Sequence, residues 1–347
     1  MNKEQRTIKP KIVFMGTPNF AATILETIVR CSLFTVCCVV TAPDKPVGRK
    51  KILTSPPAKV LAQKYNIPVA QPERIKNYEL GIRNLNPDLI IVAAYGQIIP
   101  KNILDIPKFG CLNVHPSLLP RWRGPSPIQY TILNGDKKTG VTIILMDEKA
   151  DHGPIVVQRQ LEFPMREEIS AFFFRLVSLS RNSASNFQFP KLNQALASLG
   201  AKLLIETLSK WIAGEIKPKP QDDSKATYTK ILKKEDGKID WKKSAQELER
   251  QIRAFDPWPS SYCKWQMANG KLLLLKILET DINNGELFSV KAKRRIGEVF
   301  MTDDRKLAVR TGQNCLILQK LQLEGKRPMS SEEFLRGHQD FIGTVLK

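Results

Sequence analysis

The stretch Phe109-Gly-Cys-Leu-Asn113-Val-His115-Pro-Ser-Leu-Leu-Pro120 decides how the rest of the chain is interpreted. Cys111, Asn113 and His115 alternate with two apolar residues, so a β-strand would place these three side chains on one face. Pro116 lacks a backbone donor, which predicts that the strand ends there. An amide and an imidazole therefore stand side by side at the carboxyl end of a strand, where open α/β sheets bind their ligands.

These residue types suit proton transfer beside a developing oxyanion. Asparagine is a neutral donor for a developing oxyanion, and histidine moves protons near neutral pH. The chain has only three histidines, and His152 and His338 are more simply explained as solvated or structural residues. Asp151 follows what we expect to be a neighbouring strand, where its carboxylate would orient the imidazole and favour its protonated form. We therefore predict Asn113, His115 and Asp151 as the catalytic residues.

The apolar runs before and after this strand predict a Rossmann-like, doubly wound and mainly parallel α/β sheet. A helix over 19–30 should begin with Thr17 as its N-cap and Pro18 as its first helical residue. The turn after the first strand lacks the GxGxxG pattern, so nothing favours a dinucleotide site. Strands are expected at 11–16, 33–42, 67–70, 87–94, 111–115, 141–146 and 155–163, and further helices at 60–65, 125–134 and 195–211.

The pattern changes after about residue 216. The Pro-rich and charged stretch 216–227 predicts a linker. Beyond it, a helix at 244–255 and several short β-like runs suggest a small OB-like barrel, with a purely structural β-domain as the alternative. The runs are 237–241, 261–265, 272–278, 296–300, 306–310 and 315–323. We predict a tail at 1–10, a catalytic domain at 11–215 with an insertion near 174–192, and a C-terminal domain at 228–347.

The charge is strongly positive in both halves of the chain. Lys and Arg number 54 against 34 Asp and Glu, a net charge of +20, and the excess divides between the residues up to Ile216 and those after it. Nucleic acid is therefore the simplest partner, although a generally basic proteome would also explain the charge. Within the loop 44–51, the cations Lys45, Arg49, Lys50 and Lys51 follow a strand end and indicate phosphate contacts. A solvated basic loop is the alternative.

Cysteine usage and hydropathy argue against a zinc protein, a disulfide-rich secreted protein and a membrane-spanning protein. The six cysteines form no CxxC pair, which argues against a zinc site and a disulfide framework and fits the cytoplasm. The N-terminal residues contain no apolar core of a signal peptide. The sequence also lacks a run of about 18 apolar residues that could span a membrane.

Several motifs together resemble the methionyl-tRNA formyltransferase family, from about Lys11 to the C-terminus. The Asn-x-His…Asp set alone is shared with all folate-dependent formyltransferases and hydrolases of this fold. The basic loop, the linker and the second domain narrow the resemblance to the tRNA enzymes. The motifs are Phe14-Met-Gly-Thr-Pro18, Asn113-Val-His115, Ser117-Leu-Leu-Pro120, Arg121-Trp-Arg-Gly124, Asp151-His-Gly-Pro154 and Ala254-Phe-Asp-Pro-Trp-Pro259.

The resemblance implies transfer of a formyl group from 10-formyltetrahydrofolate to the amine of initiator Met-tRNA, without a metal. Asn113 and His115 would polarise the formyl carbonyl and stabilise the tetrahedral intermediate, while His115 also moves protons and Asp151 tunes it. The loop around Arg49 would enter the acceptor stem, and the C-terminal barrel would hold the tRNA. We expect a monomer.

Two stretches are predicted to contact the folate. The family motif implies this role for Ser117, Leu118, Leu119 and Pro120. The turn that contains Tyr95, Gly96 and Ile98 is included because its glycine would let a ligand approach the backbone. A plain strand-to-helix turn explains that second stretch equally well.

The chain departs from the family at two places, and other functions stay open. Lys149 stands where many members have glycine, which would cost about 1 kcal/mol if the position requires a positive φ. The stretch from Phe174 to Leu192 resembles an insertion. Hydrolysis of formyl-folate and formylation of a small amine, such as a sugar nucleotide, would leave the basic C-terminal domain unexplained. A non-catalytic RNA-binding protein would leave the three catalytic residues unexplained.

Overall fold

The computed structural model describes residues 9–48, 51–162, 188–267, 270–282 and 294–347. The predicted tail up to residue 8, Arg49, Lys50 and most of the predicted insertion lie outside these ranges. Two compact units divide the chain. The first draws on Met1–Pro127, Lys138–Phe163 and Asn193–Lys230, and the second on Ile128–Lys137, Pro164–Leu192 and Ile231–Lys347.

A seven-stranded sheet forms the centre of the first unit, in the order β5-β2-β1-β6-β7-β8-β9. The pairs from β5 to β7 are parallel, whereas β7/β8 and β8/β9 are antiparallel. The predicted mainly parallel α/β fold is confirmed. The strands of this unit are β1 (Lys11–Gly16), β2 (Thr35–Val40), β3 (Lys45–Val47), β4 (Ile52–Thr54), β5 (Val69–Ala70), β6 (Leu89–Ala93), β7 (Cys111–His115), β8 (Lys138–Leu145) and β9 (Ile155–Glu162).

The helices of the first two-thirds of the chain follow the apolar pattern of the sequence. They are α1 (Asn19–Arg30), α2 (Pro57–Lys64), α3 (Glu79–Leu85), α4 (Lys101–Leu104), α5 (Pro127–Asn134) and α6 (Phe189–Ile212). In α1 the buried side chains recur at helical spacing, as for Phe20, Ile24 and Ile28. The predicted cap of α1 is wrong, because Pro18 occupies the N-cap position. The Thr17 hydroxyl instead donates to the Tyr95 carbonyl.

The second unit is built on an antiparallel sheet in the order β10-β11-β14-β13-β12, with β15 paired to β14. Its apolar core includes Trp265, Phe334 and Phe341. Ser244 caps the main helix and exchanges hydrogen bonds with Glu247, as a capping box does. The elements are α7 (Ala245–Ala254), β10 (Ser261–Gln266), β11 (Leu272–Ile282), β12 (Val299–Met301), β13 (Leu307–Arg310), β14 (Cys315–Leu323), β15 (Met329–Ser330) and α8 (Ser331–Gly337).

The last three residues of the chain connect the two edges of this sheet. Leu346 donates its backbone N–H to the Gly297 carbonyl at 2.9 Å, just before β12. Lys347 exchanges two backbone hydrogen bonds with Lys264 in β10, at 2.7 and 2.9 Å. The hydrogen bonds therefore run around a closed ring, which is the arrangement expected of a small barrel.

One predicted strand of this unit is wrong. Residues 237–241 contribute a single parallel bridge, between Lys238 and Tyr262, after a 3₁₀ turn over Lys234–Gly237. A side chain at Gly237 would meet the Ser260 carbonyl at 2.1 Å, so this backbone passes too close to its neighbour for a regular pleated strand. Trp241 nevertheless lies in the core, as its apolar character predicts.

Candidate active site

Asn113 and His115 lie where β7 ends, and both are buried. The period of the strand turns both side chains toward the same carboxylate. Asn113 donates from Nδ2 to Asp151 Oδ1 at 3.0 Å, and His115 Nδ1 lies 3.4 Å from the same oxygen. The Gly124 N–H donates to Asp151 Oδ2 at 2.8 Å. The structure thus brings the three predicted catalytic side chains together.

Asp151 reaches this site by a route that the sequence did not predict. β8 neighbours β7 as expected, but it runs antiparallel, so its last residue Leu145 pairs with Leu112 near the start of β7. The following loop turns back, and Leu145 donates its N–H to the Pro154 carbonyl at 3.0 Å. Within this loop Asp151 has φ +49°, a left-handed conformation that is costly for a residue other than glycine.

The departure at Lys149 has little consequence. Among the described residues of this loop, the left-handed backbone belongs to Asp151 rather than to Lys149. The Lys149 N–H donates to Asp147 Oδ1 at 3.0 Å and closes a local turn. No steric penalty therefore follows from lysine at this position.

Both ring nitrogens of His115 have partners. Nδ1 faces Asp151, and Nε2 lies 3.0 Å from the Trp122 carbonyl oxygen, which can only accept. Burial alone would lower the pKa of the imidazole, but the attraction of the Asp151 carboxylate outweighs it, so the pKa is raised above its ordinary value. Burial likewise opposes ionisation of Asp151, yet the charge of His115 and the hydrogen bonds lower its pKa. Both shifts favour the pair as an imidazolium and a carboxylate.

The Asp151→Asn variant is expected to lose most stability, relative to the wild type, between about pH 4 and pH 6.5. The pKa of His115 is raised by folding, so its contribution is complete below its unfolded pKa and disappears as the pH rises through the folded value. The pKa of Asp151 is lowered, so its contribution is complete above its unfolded pKa and disappears as the pH falls through the folded value. Melting temperatures of both proteins across this range check the prediction, and a difference independent of pH would contradict it.

Part of the predicted linker is hydrogen-bonded to the first unit. Residues 219–229, which we call the strap, run along the turn 121–124 and the start of β9. Lys219 and Ile155 exchange backbone hydrogen bonds of 2.7 and 2.8 Å. Arg123 donates its N–H to Thr227 O at 2.8 Å and accepts from Thr229 N at the same distance. This segment belongs to the first unit, which extends to Lys230.

The Arg123 guanidinium is buried beneath the strap, with 2% of the residue exposed. It donates to Gln221 Oε1 at 2.9 and 3.1 Å and to Asp223 Oδ1 at 2.7 Å. Gln221 in turn donates from Nε2 to the carbonyls of Asp151 and Gly153, at 2.9 and 2.8 Å. Gln221 therefore joins the strap to the loop that contains Asp151. The sequence does not mark this residue, because a glutamine in a Pro-rich charged stretch has the composition of a solvated linker.

His338 lies outside this arrangement, whereas His152 Nε2 lies 3.5 Å from Asp223 Oδ2 in the strap. His152 Nδ1 lies 2.5 Å from Asp147 Oδ2 on the surface side of the loop. His338 packs against Trp265 and Phe334 in the second unit, with ring centroids 5.3 and 4.8 Å apart.

A cavity of about 860 Å³ opens on the first unit between residues that precede β7 and the loop that follows β8. Cys111 lines it and precedes Asn113 by two positions on the same face of β7. Trp211 forms another part of the wall and donates from its indole to the Phe109 carbonyl at 2.9 Å. Further lining residues are Leu145, Met146, Asp147 and His152. The walls are mixed, with apolar side chains and a few polar groups, as is usual for small-molecule sites.

The residues predicted to contact folate are not among those that line this cavity. Ser117 donates to the Arg121 carbonyl at 2.6 Å, and Leu119 is buried. Leu118 and Pro120 continue the same turn. Their folate contacts stay a prediction.

The second predicted folate stretch follows β6. Tyr95 is buried, its hydroxyl has no partner in the described part of the chain, and burial raises its pKa to about 12. Gly96 has φ +88°, so glycine is required there by the backbone. Ile98 is 79% exposed. These contacts also stay a prediction.

The basic loop is a short antiparallel hairpin of β3 and β4. Lys45 and Lys51 are exposed, whereas Arg49 and Lys50 lie outside the described residues. The base of the hairpin is held at Asp44, whose carboxylate pairs with Lys59 at 2.7 Å and accepts from Ser55 and Gln71. The tip also exposes the apolar side chains of Val47, Ile52 and Leu53.

The described residues contain no helix with the length and apolar content needed to cross a bilayer. In the same ranges, His, Cys, Asp and Glu side chains form no group of three or more that could hold a metal ion. All six cysteines are free thiols.

Comparisons with known proteins agree with this fold. The formyl transferase family model matches residues 10–178, and the model of the formyl transferase C-terminal domain matches residues 231–339. The chain belongs to the formyl transferase family. The N-formyltransferase of Helicobacter canadensis, solved with folinic acid and dTDP-3-aminofucose, has a TM-score of 0.59 at 18% identity and covers 90% of this chain and 99% of its own. HypX of Aquifex aeolicus, solved with tetrahydrofolic acid, has a TM-score of 0.57 at 15% identity, with 96% and 47% covered.

Sequence relatives narrow the family further. The methionyl-tRNA formyltransferase of Bacillus velezensis is 40% identical over 339 residues, which cover 97% of each chain. The methionyl-tRNA formyltransferase of Syntrophus aciditrophicus is 41% identical over 340 residues, which cover 97% of this chain and 99% of the relative. The resemblance to the methionyl-tRNA formyltransferases is therefore confirmed over nearly the whole chain.

Proposed function

We propose that this chain transfers a formyl group from 10-formyltetrahydrofolate to the amine of initiator Met-tRNA. The observation that carries the proposal is the contact of Asn113 and His115 with one oxygen of Asp151, at 3.0 and 3.4 Å. The relatives of about 40% identity support the choice of a tRNA substrate.

The side chain of Asn113 has two N–H groups to donate. One is directed to Asp151, which orients the amide and leaves the other for the formyl oxygen. A preformed donor at this position stabilises the charge that develops on the oxygen when the amine attacks. Asn113 therefore acts on the carbonyl and not on the amine.

The His115 imidazolium supplies charge and protons beside that oxygen. Because Nδ1 faces Asp151 and Nε2 faces the Trp122 carbonyl, the ring meets substrate by exchanging the Nε2 contact. Attack by the amine requires loss of a proton from nitrogen, and the departing folate nitrogen requires one. A histidine whose charge is stabilised by a buried carboxylate can donate a proton to the departing folate nitrogen. Once it is neutral, it can accept the proton that the attacking amine loses.

The remaining surfaces suit the two substrates. The mixed cavity at Cys111, Met146 and Trp211 has the size and lining of a site for the folate ring system. The exposed cations of the β3–β4 hairpin and the basic second unit suit phosphates. We assign tRNA binding to these two regions and infer a cytoplasmic monomer.

The deciding experiment is a formyl-transfer assay with 10-formyltetrahydrofolate and either initiator or elongator Met-tRNA. Formylation of the initiator alone is the expected result. Release of formate without tRNA formylation would replace the proposal with a hydrolase, and formylation of a sugar nucleotide would replace it with a small-amine transferase. Binding of tRNA without turnover of folate would leave a binding protein.

The Arg49→Ala variant is expected to bind Met-tRNA more weakly. Loss of one phosphate contact should reduce the slope of log K against log salt concentration by about 0.7–0.9. The measurement is a salt series of dissociation constants. Lys76→Ala is the matched control, because Lys76 is exposed on a 3₁₀ turn outside the hairpin. An affinity equal to that of the wild type at every salt concentration would remove Arg49 from the interface.

A further inference from the structure

The two groups that hold the His115 ring are both parts of strained backbone. Asp151, on the Nδ1 side, has φ +49°, and Trp122, on the Nε2 side, has φ +62°. Aspartate tolerates this left-handed region better than most residues, whereas a bulky tryptophan adopts it only where the surroundings enforce it. Something in the structure therefore has to hold both residues in place.

The strap supplies the hydrogen bonds on both sides. Gln221 donates to the carbonyls of Asp151 and Gly153 at 2.9 and 2.8 Å. Thr227 Oγ1 accepts the Trp122 N–H at 2.8 Å. The backbones of Asp151 and Trp122 are thus each bonded to a side chain of the strap, residues 219–229.

The orientation of the Gln221 amide is fixed by its neighbours. Its Oε1 accepts from Arg123 at 2.9 and 3.1 Å, and a guanidinium can only donate. The amide nitrogen must therefore face the two carbonyls, which can only accept. In each of these contacts of the Gln221 side chain, a donor therefore faces an acceptor.

We propose that Gln221 and Thr227 are positioning residues for formyl transfer, which hold the Asp151 and Trp122 backbones so that the His115 ring is already oriented when substrate takes the place of the Trp122 carbonyl at Nε2. The proposal rests on the proposed function of this site. It assigns a role in the reaction to a segment that joins the two units in sequence, and neither residue contacts the reacting atoms.

Three substitutions separate this role from general stabilisation. Gln221→Met removes all hydrogen bonds of the side chain at nearly constant volume. Gln221→Glu keeps the acceptor for Arg123 but removes the donor to the loop that contains Asp151. Thr227→Val removes the hydroxyl at constant shape, and Thr227→Ser restores it. Asp222→Asn is the matched control, because Asp222 is exposed and, in the described part of the chain, its side chain bonds to Ser224 and Lys225 within the strap.

We expect kcat to fall about tenfold in Gln221→Met, Gln221→Glu and Thr227→Val, because small displacements of catalytic groups are costly. KM for both substrates should stay within about twofold, and Thr227→Ser and Asp222→Asn should behave as the wild type. A tenfold lower kcat in Gln221→Met together with a normal kcat in Gln221→Glu would overturn the proposal. The contact with Arg123 would then be sufficient for normal turnover without the hydrogen bonds to the Asp151 and Gly153 carbonyls. Normal kcat in all three variants, or a loss explained by a lowered melting temperature, would also overturn it.

A second readout does not depend on the substrate. With three histidines in the chain, the His115 ring can be followed by nitrogen-15 NMR titration. Gln221→Met and Thr227→Val should lower the pKa of His115, because its partners at Nδ1 and Nε2 both raise it. An unchanged titration would contradict the positioning role. If the wild type formylates no amine, the proposed function fails while this titration still tests the strap.

Discussion

The His115→Ala variant is expected to lose a factor of about 10²–10⁴ in kcat for formyl transfer while it still binds Met-tRNA. The substitution removes both the charge beside the formyl oxygen and the proton donor, and no second imidazole can take over. His152 faces Asp147 at 2.5 Å and does not face the shared oxygen of Asp151. Single-turnover rates at saturating folate and Met-tRNA measure the loss.

The control for this variant is His338→Gln, which removes the imidazole of the aromatic cluster in the second unit. Its kcat should remain within about twofold of the wild-type value at a temperature where the protein is folded. Turnover of His115→Ala above about a tenth of the wild-type rate would reject the assignment of His115 as the catalytic histidine.

The Asp151→Asn variant is expected to lose a factor of about 10²–10³ in kcat and to shift its pH profile. The amide keeps the volume of the carboxylate but not its charge, so His115 loses the interaction that raises its pKa, while burial continues to lower that pKa. The limb of the kcat profile that reports His115 should therefore move to lower pH. Rates between about pH 5 and pH 9 measure both effects.

Asp222→Asn again serves as the control, because it removes an exposed carboxylate that has no contact with His115. A pH profile of Asp151→Asn with its limb at the wild-type position would mean that Asp151 does not set the protonation of His115. Wild-type kcat in Asp151→Asn would remove the carboxylate from the mechanism.

The alternation over 111–115 was sufficient to predict the strand and the shared face of Asn113 and His115. Side-chain periodicity determines orientation along one strand, and the structure confirms it. The direction of β8 was not predictable in the same way, since an apolar run has the same appearance in a parallel and an antiparallel pair. The approach of Asp151 therefore became visible only with the loop that turns back after Leu145.

The strap was mistaken for a free segment because its interactions are polar. Gln221 and Thr227 stabilise the loop that contains Asp151 and the Trp122 turn through hydrogen bonds to backbone groups, which composition and hydropathy do not register. The left-handed backbone at Trp122 was not predictable from the local sequence either, since such positions are usually occupied by glycine or asparagine. Such contacts between distant parts of the chain are determined by tertiary structure and not by local pattern.

The strap also determines where the gene for this protein can be recombined with that of a relative. The Pro-rich stretch 216–220 is where the composition of the sequence changes, so it would be an obvious place for a crossover. Such a crossover would combine Gln221 and Thr227 from one parent with Asp151 and Trp122 from the other. A crossover beyond Lys230, where the last segment of the first unit ends, exchanges residues 231–347 and leaves these pairs together. A functional recombinant should therefore take residues 219–229 from the same parent as Asp151 and Trp122.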